Sequence, residues 1–242
     1  MSNHSKEVHS LVDRSEKTSH PLPRLVFSVL RAIDPYLQSL LIFHGFGHQL
    51  LSQFGLTTIP AGSKGKVLVA MAAGCALKQI INMVYILEIK IDYSAAVGIC
   101  IYNTLTNSIA SLSSIYYGPS NELGSLQYVG ISLFSVGLLT ELISELQRKR
   151  FKDDPANKGK LYTGGLFSLA RHINYGGYSL WRTGMALTSG NYWWAALQFS
   201  FHLWYFTTKG IPDIAGYCSK RYGDEWKKYE RDVPNTLLPY IW

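Results

Sequence analysis

The sequence predicts an all-α fold, a polytopic bundle of about six transmembrane helices, and three observations predict it. Charge is scarce: only 16% of the 242 residues are Asp, Glu, Lys or Arg, against roughly 25% in an average soluble domain. The scarcity is also concentrated, because none of these residues occurs in 35–63, 93–121, 123–140 or 183–208. A bilayer-crossing helix needs about 20 mostly apolar residues, so these stretches are the right length or close to it. Finally, hydrophobic residues reach 47% and aromatics 13%, and a mean hydropathy of only +0.04 reflects polar ends averaged with apolar middles. A formal charge of +7 would suit a nucleic-acid binder on a soluble domain. Here its placement argues against both a soluble domain and a nucleic-acid partner.

The elements follow in chain order. Residues 1–34 read as a polar cytosolic arm, mixed in charge and without the apolar core of a cleavable signal. Residues 35–140 carry the first four spans. The first is expected over 35–51, starting at Pro35 and containing His44 and His48. A loop with Pro60, Gly62 and Gly65 leads to the second, over 67–87. The third covers 94–117 and ends in the turn Gly118-Pro119-Ser120-Asn121; the fourth covers 123–146. A basic loop with Arg148, Lys149, Arg150, Lys152, Lys158 and Lys160 follows, broken by Pro155 and Gly159. The fifth span is 165–187, and the turn Thr188-Ser189-Gly190 returns the chain through 192–208.

Basic loops stay on the cytosolic side, which places the 148–160 loop and the tail after Lys209 there. Counting back through four spans puts Arg14, Lys17, Arg24 and Arg31 on the same side. Both termini are thus expected in the cytosol. Membrane lipids are the surroundings, and the endoplasmic reticulum suits this topology as well as a bacterial inner membrane does. The three cysteines, Cys75, Cys100 and Cys218, have no paired spacing, so neither a disulfide framework nor a zinc site is indicated. Nothing in the sequence sets an oligomeric state.

Ionisable groups at membrane depth are costly and point to function. The fifth span holds Arg171, His172 and Arg182. Arg171, Asn174, Tyr175, Tyr178 and Arg182 recur at steps of three and four, which puts them on one helix face. Arginine presents a rigid fork of donors matched to phosphate or carboxylate. Two readings are open: an anionic ligand site, or a packing face paired with Glu141 and Glu145. The tail KRYGDEWKKYERDVP sets basic groups beside stackable rings, as a nucleotide site would, and as an interfacial helix would.

From Glu141 to the C-terminus the chain resembles the steroid 5-alpha-reductase C-terminal-domain superfamily, in particular its DUF1295 branch. Sterol reductases and isoprenylcysteine carboxyl methyltransferases are more distant relatives. The matching strings are SELQRKRFKDDPANKGK over 144–160, GGLFSLARHINYGG over 164–177, the Gly210-Ile211-Pro212 step, and RYGDEWKKYERDVP over 221–234. The resemblance implies a helical bundle whose cofactor cavity opens to the cytosol, with residues 141–242 as the cofactor-binding domain and 35–140 as the substrate half. It places Glu145, Gln147, Asn157, Gly164, Gly165, Arg171, His172, Asn174 and Tyr175 at or near the cofactor, and the residue pattern itself adds Tyr178 and Arg182 from the shared helix face and Lys152 from the basic cluster beside it. In the tail the resemblance adds Arg221, Tyr222, Trp226 and Tyr229. Two positions depart from the pattern: Tyr178 stands where the family places a glutamate, and Ala215, with Asp213 nearby, stands where an acid is frequent.

The leading expectation from this resemblance is NADPH-dependent reduction of a carbon–carbon double bond in a sterol-like or other lipid enone. Such chemistry needs a group that polarises the conjugated carbonyl and supplies a proton. Tyr85, Glu88, Tyr102 and Lys78 are the catalytic candidates; Lys78 is the most expensive to bury and has a pair with Glu141 or Glu145 as its structural alternative. Asn103 and Asn107 read as helix–helix hydrogen-bonding groups. One alternative is an S-adenosylmethionine-dependent methyltransferase on a lipid or prenylated substrate. The other is a catalytically altered member, an isomerase or lipid-binding protein. A metal at His44 and His48, and serine hydrolysis, are set aside for want of further histidines and of a Gly-x-Ser-x-Gly elbow.

Overall fold

A computed structural model describes residues 21–88, 90–116 and 122–240, and every regular element among them is helical. The principal helices are α1 (Pro21–Phe43), α2 (Phe46–Ser52), α3 (Ser63–Ile81), α4 (Tyr93–Tyr116), α5 (Ser125–Asp153), α6 (Ile173–Thr188), α7 (Tyr192–Tyr205), α8 (Ile211–Tyr222) and α9 (Asp224–Asp232). A π-helical turn, Asn82–Ile86, prolongs α3, and another, Phe206–Gly210, joins α7 to α8. By length and composition, α1, α5 and the Ser63–Ile86 stretch of α3 can each cross a bilayer.

Polarity is distributed as in a bilayer protein. Leu77, Ile101, Leu105, Val136, Leu139 and Leu197 each leave more than half of their surface exposed, while Arg31, Asp34, Gln38, Lys78 and Arg182 are buried. In water this arrangement would be costly; with lipid outside, apolar faces turn outward and polar groups must find partners within.

The first span begins at Pro21 instead of Pro35. Arg31 and Asp34, which read as the end of a polar arm, are both fully buried and pair at 3.2 Å. Arg31 Nε donates to Gln79 at 2.6 Å, and Asp34 accepts from Gln38 at 2.9 Å and Asn107 at 2.7 Å. Paired in this way, the charges do not interrupt the helix. Pro35 lies inside it. Gly45, at φ 82°, then breaks the chain between α1 and α2.

Helices α1, α3 and α4 pack together, and one core cluster ties them to α5 and α6: Ile42 from α1, Leu68, Met71 and Cys75 from α3, Ala110 from α4, Phe134 from α5, and Trp181 and Met185 from α6. The most extensive pairing is between α5 and α6. Gly137 faces Gly177, and Gly130 faces Gly184, so the two helices run antiparallel with glycines seven residues apart on each. A Cβ at Gly137 would lie 2.5 Å from Trp181 N and 2.6 Å from the Gly177 oxygen. Small residues let transmembrane backbones approach this closely.

The expected fifth span is shorter than the sequence indicates. Gly165–Ser168 forms a 3₁₀ turn, and α6 starts only at Ile173. Between them the backbone N–H groups of Arg171 and His172 donate to the carbonyls of Asn235 and Thr236, at 3.0 and 2.8 Å, instead of continuing a helix. Arg171 and His172 therefore precede α6, and the C-terminal segment is fastened across this turn.

Candidate active site

Two cavities adjoin α6 and share Asn174. The larger, about 590 Å³, lies among α4, α5, α6 and α7. Its walls are mostly apolar: Ala95, Gly98 and Ile99 on one side, Phe201, Tyr205 and Phe206 on the other. Tyr175 stacks on Phe206 with centroids 4.3 Å apart, and Tyr178 meets the same ring edge-on at 5.7 Å. Polar groups enter at few places: Glu141 and Glu145 from α5, Asn174 and two tyrosines from α6, Tyr102 from α4 and His202 from α7. His202 Nδ1 lies 2.7 Å from the Gln198 carbonyl, which can only accept. In the neutral ring Nε2 is then the acceptor, and the Tyr102 hydroxyl donates to it at 2.9 Å.

The smaller cavity, about 190 Å³, is aromatic and cationic. Arg148 and Lys152 come from the end of α5, Phe167, Arg171 and His172 from the turns before α6, and Tyr217, Tyr222, Trp226 and Tyr229 from α8 and α9. Trp226 leans on His172 with centroids 6.4 Å apart, and Tyr229 donates to the Phe167 carbonyl at 2.6 Å. Burial, then the charges of Arg171 and Arg148, lower His172 from the ordinary 6.5 to about 4, so the ring is neutral. Burial likewise pushes the Tyr229 hydroxyl up.

The residues expected to hold a cofactor divide into those that line a cavity and those that support it. Lys152, Arg171, His172, Asn174, Tyr222, Trp226 and Tyr229 line the smaller cavity; Glu145, Asn174, Tyr175 and Tyr178 line the larger. Arg171 is largely occupied by the tail, since Nη1 donates to the carbonyls of Val233 at 2.5 Å, Pro234 at 3.2 Å and Glu230 at 3.3 Å. Its buried Nε has no hydrogen-bond partner among the described residues. Gln147 Oε1 accepts from Leu166 N at 2.9 Å, and Asn157 donates to the Phe151 carbonyl at 3.2 Å. Gly164 precedes the 3₁₀ turn, and Gly165 adopts φ 55° with Gln147 and Tyr162 packed where a Cβ would stand. Arg221 is exposed beside the rings of Tyr217 and Tyr222.

Arg182 lies outside both cavity linings. It is buried at 3% exposure and donates to Asn103, to Thr106 at 3.0 Å, to Asn107 at 3.4 Å and to Tyr178 at 3.2 Å. Asn103 and Asn107 thus join α4 to its neighbours.

The four catalytic candidates are not brought together. Tyr102 lines the larger cavity. Lys78 pairs with Glu141, whose other oxygen accepts from Trp181 Nε1 at 2.7 Å. Tyr85 and Glu88 lie at and beyond the π-helical end of α3, where Lys149 stands 5.5 Å from the Tyr85 ring and 2.9 Å from Glu88. His202 and the aromatic wall of α7 are the groups that reading by motif passed over. Their signal was a histidine in a charge-free run, next to Phe201 and at helical spacing from Tyr205 and Phe206.

Residues 83–233 match the family described as a protein of unknown function, DUF1295, and the chain belongs to that family. The chain is 32% identical to a probable O-methyltransferase, ustE, of Ustilaginoidea virens, across 96% of this chain and 89% of that protein. It is also 32% identical to a protein-S-isoprenylcysteine O-methyltransferase of Schizosaccharomyces pombe, over 32% of each chain. A delta(14)-sterol reductase of Candida albicans is 31% identical over 34% of this chain, but over only 18% of the reductase. The family is thus related to both methyltransferases and sterol reductases.

Proposed function

We propose that the protein is an S-adenosylmethionine-dependent O-methyltransferase acting on a hydrophobic acceptor held within the membrane. The observation that carries this reading is the meeting of two unlike cavities at Asn174, an aromatic–cationic one and an apolar one. A water-soluble donor and a lipid-soluble acceptor need such a junction. The similarity to a probable O-methyltransferase over nearly the whole chain supports the same chemistry. On the expected topology the donor cavity faces the cytosol.

The smaller cavity suits the methyl donor. The rings of Trp226, Tyr222 and Tyr217 offer faces for an adenine and for a sulfonium cation. Arg148 and Lys152 offer charge for a carboxylate, and the unpartnered Arg171 Nε is a further donor. When bound, the donor supplies an activated methyl group. NADPH would place phosphates here as well, yet Arg171 is given over to backbone carbonyls and Arg182 to α4. That weighs against the reduction expected first from the sequence.

The test is thermal unfolding of the purified protein in detergent with each ligand. At a hundred times its dissociation constant, S-adenosylmethionine should stabilise the fold by about 2.7 kcal/mol. Stabilisation by NADPH alone would overturn the proposal in favour of reduction.

A further inference from the structure

We propose that the methyl acceptor is a neutral hydroxyl, on a hydrophobic phenol or alcohol, and that Glu145 takes its proton. This rests on the methyl-transfer reading and names its substrate class. Among the described residues, the larger cavity is lined by two carboxylates, Glu141 and Glu145, and by no lysine or arginine. Lys78 and Arg182 are buried nearby but stand outside the lining, held by Glu141 and by the polar groups of α4. A carboxylic acid acceptor would bring a further negative charge beside these two carboxylates, in an apolar space whose described lining offers it no side-chain cation.

Hydrogen-bonding capacity points the same way. A carboxylate only accepts, so its binding site must present donors. Here the Tyr102 hydroxyl donates to His202, the Asn174 amide donates to Glu145 at 3.4 Å, and the Tyr178 oxygen accepts from Arg182. What remains is acceptor capacity on the Glu145 oxygens beside phenolic O–H groups of the lining, and a substrate hydroxyl, which both donates and accepts, matches that mixture.

Of the two acids, Glu145 is the one at the junction. Glu141 is held from both sides, by Lys78 on one oxygen and Trp181 on the other. Glu145 accepts from Asn82 and from Asn174, the residue common to both cavities, with Arg148 3.8 Å away towards the donor cavity. Amide donors leave lone pairs on its oxygens for one more hydrogen bond. The acceptor oxygen forms its bond to the methyl carbon as the carbon–sulfur bond breaks. The electron pair of that bond stays on sulfur, which becomes a neutral thioether, and the hydroxyl proton passes to Glu145. The products are a methyl ether, a thioether and a protonated carboxyl group.

The experiment compares a matched pair of probes, 4-nonylphenol and 4-nonylbenzoic acid, with the full chain in lipid nanodiscs. Equilibrium binding without the methyl donor should favour the phenol by about tenfold or more, the size of one unfavourable charge contact of about 1.4 kcal/mol. With radiolabelled S-adenosylmethionine, label should enter a base-stable ether, and Glu145→Gln should lower its formation by about 100-fold or more. Donor affinity should stay within about threefold in that variant, which separates lost chemistry from lost folding. Preferred binding of the benzoate, a base-labile ester as the main product, or full ether formation by Glu145→Gln would each overturn the proposal. If wild-type protein does not bind the methyl donor, the methyl-transfer reading itself fails, while the binding preference still reports on the cavity.

Discussion

Replacing Lys78 by methionine should destabilise the protein by about 3–5 kcal/mol without touching the reaction directly. Lys78 is 5% exposed, on α3, and its ammonium group is bonded to Glu141 on α5. Methionine fills similar volume and makes no demand for a partner, so the cost falls on Glu141. That carboxylate is 7% exposed and retains only the Trp181 indole N–H, at 2.7 Å, among the partners described here. Removing one member of a buried ion pair leaves an uncompensated charge, whereas removing both is far cheaper. The double variant Lys78→Met with Glu141→Gln should therefore recover at least about 2 kcal/mol, because the glutamine oxygen still accepts from Trp181. The assay is equilibrium unfolding in a fixed detergent, with the two single variants completing the cycle. A loss below about 1 kcal/mol in Lys78→Met, or a double variant as unstable as the single, would refute the assignment of Lys78 to structural pairing.

The other expectations are separable. Gly137→Ala should destabilise by about 1–3 kcal/mol, since the added carbon meets α6 backbone, whereas Gly98→Ala, with open space around its Cβ, should be neutral by the same unfolding assay. His172 holds its proton less tightly in the fold, at about 4, than the ordinary 6.5, so the unfolded chain binds more protons between those values. Its contribution is complete above about pH 6.5 and falls away towards pH 4, by up to about 3 kcal/mol; His172→Gln should flatten that part of a stability–pH curve. Asn174→Ala should weaken methyl-donor binding by about tenfold, measured calorimetrically. Asn103→Ala should leave donor binding nearly unchanged while lowering stability by about 1–3 kcal/mol, because Arg182 and Gln79 lose a shared acceptor.

Much of the helical framework was legible in the sequence because a bilayer imposes long runs without charge. The starts of α4 and α5, at Tyr93 and Ser125, fall at or within two residues of the starts of such runs for that reason. The start of α1 was hidden, since Arg31 and Asp34 look like surface charges until Gln79 and Asn107, from other helices, are seen to bond them. Periodicity likewise put Arg171 and Arg182 on one helical face, but the helix begins after Arg171, where the tail takes over its backbone hydrogen bonds. Local spacing cannot register a partner more than sixty residues away. At the site, Asn174, Tyr175, Tyr178, Trp226 and Tyr229 were visible as motif positions, and Tyr102 as a buried phenol. His202 stood out only by its charge-free, aromatic surroundings; its role comes from Tyr102, which α4 supplies across the cavity. The glycines of α5 and α6 carried a readable spacing of seven, whose meaning appears only when the helices are set antiparallel.

The central claim is that methyl transfer joins the two cavities, and the most direct test is to supply both possible donors and follow the label. Purified protein in nanodiscs is incubated with a hydrophobic extract from its own cells, radiolabelled S-adenosylmethionine and NADPH. Label appearing in an organic-soluble product, with NADPH absorbance unchanged and the label reduced by Asn174→Ala when the methyl donor is below saturation, is the predicted result. Consumption of NADPH with no methyl group incorporated would contradict it.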